Sequence, residues 1–265
     1  MISNSKIWIV SDVDGTLMDH FYDLTPAKET INWLQRLGVP VILCTSKTKS
    51  EVKIIRDDLN LKDPYIVENG GAIYGEYTDG KEWEIILGKS YSILEKILNS
   101  LSENINFKLR PLNTLTDDEA TDLTGLEGES LNLMRDRHWS MPFLNPPQNF
   151  DEDLKRLCEI YAVDIFRGNR MSHLLSKHSN KGLAIKKLLN KSNNSNVQII
   201  GLGDSPNDLP LLINSDYKVV ISGVKGPNHI LLKQLKGTEF SISEKPHGYG
   251  WKDEVFKLIT MLLNT

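Results

Sequence analysis

The stretch IWIVSDVDGTLMD, residues 7–19, leads an apolar strand directly into two aspartates, Asp12 and Asp14. Residues 7–11 are mostly β-branched or aromatic, which is typical of a buried strand. Two carboxylates at the end of such a strand repel each other and lose hydration unless a cation or a bound proton compensates. The pair therefore indicates a site with its own chemistry, and the rest of the chain must show which.

Buried strands and amphipathic helices alternate at both ends of the chain. Apolar strands are predicted at 39–44, 197–204 and 217–222, and helices are predicted at 180–190 and 226–236. Strands that alternate with helices at this spacing indicate a parallel sheet with right-handed crossovers. We therefore expect an α/β fold whose core is a doubly wound, Rossmann-like parallel sheet.

The middle of the chain, about 82–175, lacks this regular alternation and predicts an α+β module. Its expected strands and helices are strands at 83–87, 107–110, 138–143 and 164–169, and helices at 90–102, near 116–119 and at 151–162. We therefore expect a core domain of residues 1–81 and 176–265 with an inserted α+β cap domain, residues 82–175, that selects the substrate.

Composition and charge exclude several classes of protein. The net charge of −4 argues against a general nucleic-acid binder, which would present a basic face. No run approaches the roughly 18 apolar residues of a membrane span, and the N-terminus lacks the features of a signal peptide. Only two cysteines, Cys44 and Cys158, are present, so neither a disulfide framework nor a cysteine-zinc site is expected. We expect a cytoplasmic protein that binds neither nucleic acid nor membranes.

Three polar clusters directly follow strand-like runs. They are Asp12 with Asp14, the run Thr-Ser-Lys at 45–47, and the run Asp-Ser-Pro-Asn-Asp at 204–208. Each cluster alone has ordinary turn chemistry. Because ligands of open α/β sheets bind outside the carboxyl ends of the strands, the fold would bring all three clusters to one edge. That coincidence favours a functional site over three unrelated turns.

Four carboxylates with no histidine or cysteine among them suit a hard cation. Mg²⁺ is expected, because it prefers oxygen ligands, keeps several waters and bridges to a phosphate. A structural Ca²⁺ site is the alternative, although its ligands would come from distant segments. Lys181, at a predicted helix start, is placed to neutralise a phosphate or a carboxylate. Thr48 fits a capping box, which leaves Thr45 and Ser46 for a phosphate oxygen, and Thr45 is nearer the strand end.

These residues resemble a known family. The motif DxDGT at 12–16, the hydroxyl of Thr45, Lys181 before its helix and GDSPND at 203–208 are similar, in order and separation, to the four signature motifs of the haloacid dehalogenase-like phosphatases. The resemblance implies that Asp12 is the nucleophile, which forms an aspartyl-phosphate, and that Asp14 is the general acid and base. Thr45 and Lys181 would hold the transferring phosphoryl group.

The same resemblance implies a magnesium site at the sheet edge. Asp204 would bind Mg²⁺ together with Asp12 and the backbone carbonyl of Asp14. Asp208 and Asn207 would support the metal shell, directly or through water. This division of roles is physically sensible, because phosphoryl transfer mainly requires in-line positioning and neutralisation of charge.

Longer segments resemble the mannosyl-3-phosphoglycerate phosphatase subfamily. They run through core and cap and are VPVILCTSKTKSEV (39–52), VENGGAIY (67–74), GLEGESLNLMRDRHWSMPF (125–143), FRGNRMSHLLSKHSNKG (166–182) and GYGWKDEV (248–255). The implied reaction releases phosphate from a glycosyl-3-phosphoglycerate, a small phosphorylated sugar-glycerate, and leaves a glycosylglycerate, a compatible solute. Met141 and the looser FRGNRMSH segment depart from the subfamily pattern, so both mannosyl and glucosyl substrates stay open.

The cap should supply the groups that bind the rest of this substrate. Guanidinium groups match a carboxylate bidentately, so the candidates for the glycerate are Arg135, Arg137, Arg167 and Arg170. Arg170 is favoured because Gly168 permits close backbone approach. Helical spacing cannot place Arg135 and Arg137 on one face. The expected substrate contacts are Lys47, Asn69, Gly70, Arg135, Arg170 and Asn207.

Four alternatives accompany this interpretation. A broader sugar-phosphate or sucrose-phosphate phosphatase would use the same core chemistry. A phosphomutase would transfer the phosphate to a second hydroxyl instead of water. A non-catalytic phosphate-binding protein on the same fold is disfavoured because Asp12 and Asp14 are both present, and a response-regulator-like receiver would lack the cap and an acid such as Asp14.

Overall fold

The computed structural model describes residues 5–19, 21–168, 170–177, 179–192, 194 and 196–264. Its strands are β1 (Ile7–Ser11), β2 (Val41–Leu43), β3 (Tyr65–Val67), β4 (Ala72–Glu76), β5 (Glu82–Ile86), β6 (Ser140–Leu144), β7 (Val163–Arg167), β8 (Met171–Ser176), β9 (Gln198–Gly203), β10 (Tyr217–Ser222) and β11 (Ser241–Pro246). Its α-helices are α1 (Thr25–Arg36), α2 (Lys49–Asp58), α3 (Tyr91–Asn104), α4 (Asp117–Thr124), α5 (Gly128–Arg135), α6 (Asp151–Tyr161), α7 (Lys181–Ser192), α8 (Leu209–Ile213), α9 (His229–Gln234) and α10 (His247–Leu263).

The main sheet is parallel and confirms the expected α/β core. Its five strands lie in the order β11-β10-β9-β1-β2. Strand β1 sits between β9 and β2, with Ile9 opposite Ile200 on one side and Val41 on the other. The carboxyl ends of β1, β2 and β9 are therefore neighbours, and the segments that follow these three strands share one edge of the sheet.

Helices cover both faces of this sheet. On one face, Ile9 packs in a cluster with Ile31 of α1 and Trp251 of α10. On the other face, Trp8 packs in a cluster with Ala184 and other residues of α7. Because successive side chains of a strand point to opposite faces, β1 is apolar from Ile7 to Val10. This two-sided burial makes the strand a rigid support for the residues that follow it.

A second sheet extends the core beside β2. Strands β3, β4 and β5 form an antiparallel hairpin sheet, and an isolated parallel bridge between Cys44 and Ile66 joins it to the end of β2. The domain boundary expected at residues 81 and 82 coincides with the start of β5, which pairs with β4. The division into core and cap stays a prediction. Because β5 pairs with β4 of the core, we propose that the chain first passes from the core to the cap at residues 87–90.

The middle of the chain contains a third sheet, with the antiparallel order β6-β8-β7. Leu94 and Leu98 of α3, Phe143 of β6, Leu157 of α6 and Leu174 of β8 form one buried cluster on this sheet. The segment expected to be a strand at 107–110 is not one. Its backbone is used otherwise, since Leu109 N–H donates to the Ser102 hydroxyl at 3.1 Å.

Two strands were not anticipated, β8 and β11. β8 lies in the centre of the third sheet, and β11 forms the edge of the main sheet. In the described part of the chain, no helix combines the length and apolar character that crossing a membrane requires.

Candidate active site

A lysine between two aspartates forms the centre of the site at the sheet edge. Lys181 is fully buried at the start of α7, and its Nζ lies 2.6 Å from Asp12 Oδ1 and 2.6 Å from Asp208 Oδ1. Asp12 follows β1 and Asp208 follows β9, so the neighbouring strands bring residues 196 positions apart onto one ammonium group. The expected grouping of Asp12, Lys181 and the 204–208 run is what the structure shows.

The protonation of this cluster reflects an excess of negative charge. Burial, and after it the charge of Asp208, raises the pKa of Asp12 to about 7, although Lys181 opposes this shift. Burial and the charges of Asp208 and Asp12 also raise the pKa of Asp204 well above its ordinary value. Burial would lower the pKa of Lys181, but Asp12 and Asp208 outweigh it and hold this pKa above its usual range. The single positive charge of Lys181 does not neutralise the negative charges of Asp12, Asp204 and Asp208.

The donor set at this edge fits a hard cation. One carboxylate oxygen from each of Asp12, Asp204 and Asp208 lies within 4.8 Å of the others. Oxygen-only ligands with net negative charge are what Mg²⁺ and Ca²⁺ prefer. Asp14 was expected to contribute its backbone carbonyl, and its side chain lies outside this group. The acidic cluster could therefore hold a metal ion.

Hydrogen bonds fix the carboxylates of the 204–208 run. Asp208 Oδ2 accepts the backbone N–H groups of Asp204 and Ser205, both at 3.0 Å. The Thr16 hydroxyl donates to Asp204 Oδ1 at 3.0 Å. Gly15 has φ +79°, and a Cβ there would lie 2.7 Å from Asp204 Oδ2, so only glycine fits. Gly15 and Thr16 of the DxDGT motif thus both contact the Asp204 carboxylate and restrict its position.

Sequence reasoning missed the roles of Thr16 and Ser205. Ser205 forms a capping box with Asp208, and a serine three residues before an acidic residue is the signal that could have indicated it. For Thr16 the signal was weaker, because its partner Asp204 lies 188 residues away. Both residues orient carboxylates of the acidic cluster formed by Asp12, Asp204 and Asp208.

The segment after β2 lines the other side of the site. Thr45 is fully buried, and its hydroxyl accepts the Lys47 N–H at 3.2 Å. The Lys47 ammonium lies 3.1 Å from Asp14 Oδ1 and 3.4 Å from Glu51 Oε1. Burial would lower the pKa of Lys47, but these two carboxylates outweigh it and raise this pKa. The expected capping box of Thr48 is confirmed.

A cavity of about 510 Å³ lies between this segment and the middle module. Asp14 and Lys47 line it from one side, and Arg137, Arg170 and His173 line it from the other. A space of this size accommodates a small organic molecule. Asp14 therefore faces the cavity, whereas Asp12 lies deeper.

Arg137 is a buried cation of the cavity wall. It is 8% exposed, and its guanidinium donates to the Ser46 carbonyl at 3.0 Å and to the Ser140 hydroxyl at 3.1 Å. Its Nε is buried and has no hydrogen-bond partner in the part of the chain that the structure describes, and the same holds for Nδ1 of His173. Burial and the charge of Arg137 lower the pKa of His173 to about 3, so this imidazole is neutral. Among the described residues, no carboxylate forms an ion pair with Arg137.

The structure does not bring all of the expected contacts into the cavity. Arg135 lies outside it, 2.5 Å from Asp117 Oδ1, and Arg167 pairs with Asp151 at 2.7 Å. Arg170 lines the cavity, where it donates to the Thr124 carbonyl at 2.6 Å. Asn69 and Gly70 also lie outside its lining, and Asn69 accepts a hydrogen bond from the Asn207 amide at 3.1 Å. The substrate contacts expected at Arg135, Asn69, Gly70 and Asn207 stay predictions.

A family model described as haloacid dehalogenase-like hydrolase matches residues 9–223, which is most of the chain. The chain belongs to the haloacid dehalogenase-like hydrolases. Two relatives are named glucosyl-3-phosphoglycerate/mannosyl-3-phosphoglycerate phosphatase. The one from Persephonella marina is 28% identical over 95% of this chain and 96% of its own. The one from Methanococcoides burtonii is 29% identical over the same shares.

Solved structures share the fold of this chain. The crystal structure of Thermoplasma acidophilum 0175 is 21% identical, with a TM-score of 0.68 over 97% of both chains. The sucrose-phosphatase from Synechocystis, solved with sucrose and phosphate, is 16% identical, with a TM-score of 0.63 over 95% of this chain and 97% of its own. With its family and its phosphatase relatives, this haloacid dehalogenase-like hydrolase is an enzyme that hydrolyses phosphoric monoesters.

Proposed function

We propose that this enzyme is a Mg²⁺-dependent phosphatase of a glycosyl-3-phosphoglycerate, mannosyl or glucosyl, acting through an aspartyl-phosphate. The observation that carries the proposal is the pairing of a buried Asp12–Lys181 centre with a cavity whose far wall holds Arg137, a cation that forms no ion pair with any carboxylate of the described residues. The first feature fits the transferred phosphate, and the second fits a further negative charge on the same substrate.

Asp12 is the proposed nucleophile. Lys181 binds Asp12 Oδ1, which orients the carboxylate and leaves its other oxygen to attack phosphorus. As the new O–P bond forms, the bond from phosphorus to the leaving oxygen breaks. Thr45 and Lys181 hold the phosphoryl oxygens. A magnesium ion bound by Asp12, Asp204 and Asp208 would supply positive charge against the phosphate and the carboxylates.

Asp14 is the proposed acid and base. It faces the cavity, so it can donate a proton to the leaving oxygen of the glycerate during the first step. Its carboxylate then takes a proton from the water that attacks the aspartyl-phosphate, and inorganic phosphate leaves. Lys47, 3.1 Å from Asp14 Oδ1, holds this side chain in place.

The side of the cavity that Arg137, Arg170 and His173 line, here called the cap wall, supports the choice of substrate. A buried guanidinium without a carboxylate partner is costly in the free protein and favours an anionic ligand. The glycerate carboxylate supplies one, and the sugar occupies the rest of the 510 Å³ cavity. The names of the two relatives support the same substrate. The product would be a glycosylglycerate, a compatible solute.

Phosphate release from synthetic mannosyl- and glucosyl-3-phosphoglycerate, with Mg²⁺ and with EDTA, tests the proposal. We expect turnover with Mg²⁺, none with EDTA, and a clear preference over simple hexose phosphates and sucrose phosphate. Equal turnover of the simple hexose phosphates would overturn the proposed specificity for glycosyl-3-phosphoglycerate. Full activity in EDTA would overturn the proposed dependence on Mg²⁺.

A further inference from the structure

The loop of residues 68–70, Glu-Asn-Gly, has an unusual backbone. Glu68, Asn69 and Gly70 have φ values of +49°, +58° and +94°. Positive φ is uncommon for residues other than glycine, and two such residues in a row persist only where their surroundings hold them. The catalytic steps described above use none of these three residues. Their conformation therefore needs another explanation.

The loop contacts three of the catalytic segments. The N–H groups of Glu68 and Asn69 donate to the carbonyls of Lys47 and Thr45, both at 2.9 Å. The Asn69 side chain accepts from Asn207, in the segment after β9. Gly70 lies so close to the residue before Lys181 that a Cβ would sit 2.3 Å from its carbonyl oxygen. One short loop thus touches the segments that carry Thr45, Lys181 and Asp204.

The Glu68 side chain contacts the other module. It is 1% exposed, and its Oε1 accepts the His138 N–H at 2.9 Å. Its Oε2 accepts the Trp139 N–H at 3.1 Å and the Ser140 hydroxyl at 2.6 Å. Three consecutive residues that lead into β6 therefore donate to one carboxylate. A carboxylate is required, because each of its two oxygens faces a backbone N–H group, which can only donate.

A short chain of hydrogen bonds links Glu68 to the cavity wall. The Ser140 hydroxyl that donates to Glu68 accepts from the Arg137 guanidinium at 3.1 Å. Arg137 in turn donates to the carbonyl of Ser46, beside Thr45. The position of Arg137 relative to the phosphate-binding segment therefore depends on the Glu68 carboxylate.

We infer that Glu68 is a positioning residue: it sets the cap wall, and Arg137 above all, at the right distance from the Asp12 centre. The inference rests on the proposed function only for the identity of the large substrate. A small ester that occupies the phosphate site alone does not use the cap wall. Loss of Glu68 should then impair large substrates selectively.

The first test compares Glu68→Gln with the wild type on two substrates. Glutamine keeps the size of Glu68, but its amide N–H₂ group would face the backbone N–H of His138 or Trp139, so one hydrogen bond is lost. We expect kcat/KM for glycosyl-3-phosphoglycerate to fall on the order of 10²-fold, as for other misplacements of about 1 Å. We expect kcat/KM for p-nitrophenyl phosphate to stay within about threefold, since the core chemistry is intact. Glu84→Gln, an exposed residue of β5, is the matched control and should change neither value.

Equal losses on both substrates would show a purely structural role and overturn the inference, and so would no loss on either.

A second measurement does not depend on the substrate. If the wild type does not hydrolyse glycosyl-3-phosphoglycerate, the proposed function is refuted, but the inference about Glu68 can still be tested. Spin labels at cysteines introduced at the exposed Glu152 and Lys233 report the distance between cap and core. Glu68→Gln should broaden this distribution and Glu84→Gln should not; identical distributions would overturn the inference.

Discussion

The sheet-edge cluster and the cap wall of the cavity differ in whether their buried polar groups have partners within the protein. At the sheet edge, Lys181 binds Asp12 and Asp208, and backbone N–H groups bind Asp208 as well. In the cap wall, Arg137 Nε and His173 Nδ1 are buried without partners. Buried polar groups normally find partners within the protein. The difference indicates that the chain itself supplies partners for the charged groups at the sheet edge, and it supports the proposal that the substrate supplies partners for Arg137.

The largest expected effect is on the sheet-edge side. Asp12→Asn should reduce phosphate release by about 10⁴-fold or more, because the variant lacks the nucleophile. The fold should persist, since asparagine removes a charge whose burial already raises the pKa of Asp12 to about 7. Steady-state phosphate release and thermal unfolding measure the two quantities. Turnover within tenfold of the wild type would rule out the covalent mechanism.

Lys181→Met tests whether the sheet-edge cluster is held by its own charges. The variant leaves Asp12 and Asp208 buried without their ammonium, so we expect the free energy of unfolding to fall by about 3–5 kcal/mol. Lys187→Met, an exposed change on the same helix, should stay within about 0.5 kcal/mol of the wild type. Urea denaturation measures both variants, and equal stabilities would contradict the account of this cluster.

Gly15→Ala tests the metal-binding half of the cluster. The new Cβ would lie 2.7 Å from Asp204 Oδ2 and displace that carboxylate, so Mg²⁺ affinity should fall about 10- to 100-fold. Gly80→Ala is the matched control, because Gly80 has φ +81° with nothing within 4 Å of an added Cβ. Titration calorimetry with Mg²⁺ gives the affinities. Wild-type affinity in Gly15→Ala would show that Asp204 is not a ligand.

The smallest expected effect lies in the cap wall and depends on pH. Burial and the charge of Arg137 lower the pKa of His173 to about 3, against 6.5 for an ordinary histidine. Below pH 6.5 the unfolded chain therefore binds a proton that the folded protein does not. The free energy of unfolding should fall as the pH falls, by up to about 1.4 kcal/mol per pH unit.

His173→Gln lacks this proton, so it isolates the effect from the raised pKa of Asp12. The difference in unfolding free energy between wild type and variant should change between pH 6.5 and 5 and be constant above pH 7.5. Urea denaturation across pH 5–8 provides the curves. Parallel curves over the whole range would mean that His173 titrates as it does in water.

The contrast between the two regions also explains what could be predicted from the sequence. Asp12, Thr45 and Asp204 each follow an apolar strand, and parallel strands place their carboxyl ends together, so their grouping needed no knowledge of side-chain contacts. Lys181 was identified by its place at a helix start and by the family resemblance. The core fold was predictable for the same reason, because its apolar patterns are long and regular.

The cap wall was less predictable, because its members are chosen by contacts that spacing does not encode. Arg135 and Arg137 both suited a carboxylate, but Asp117 binds Arg135 outside the cavity. The role of Glu68 has no signal in the sequence, because its three donors come from a segment about 70 residues away. The expected strand at 107–110 had a suitable pattern but no pairing partner beyond the bridge from Pro111 to Phe143.

The most direct test of the account compares one pair of substrates that differ only in the glycerate carboxylate. The proposed glycosyl-3-phosphoglycerate and its glycosylglycerol phosphate analogue present the same phosphate to Asp12. We expect kcat/KM to be at least about 30-fold higher with the carboxylate in the wild type, because the analogue offers no anion to the buried Arg137 guanidinium, which has no carboxylate partner among the described residues. In Arg137→Met this preference should disappear, whereas Arg156→Met, an exposed change in α6, should keep it. Equal kcat/KM for the two substrates in the wild type would contradict the central claim that Arg137 of the cap wall binds the glycerate carboxylate.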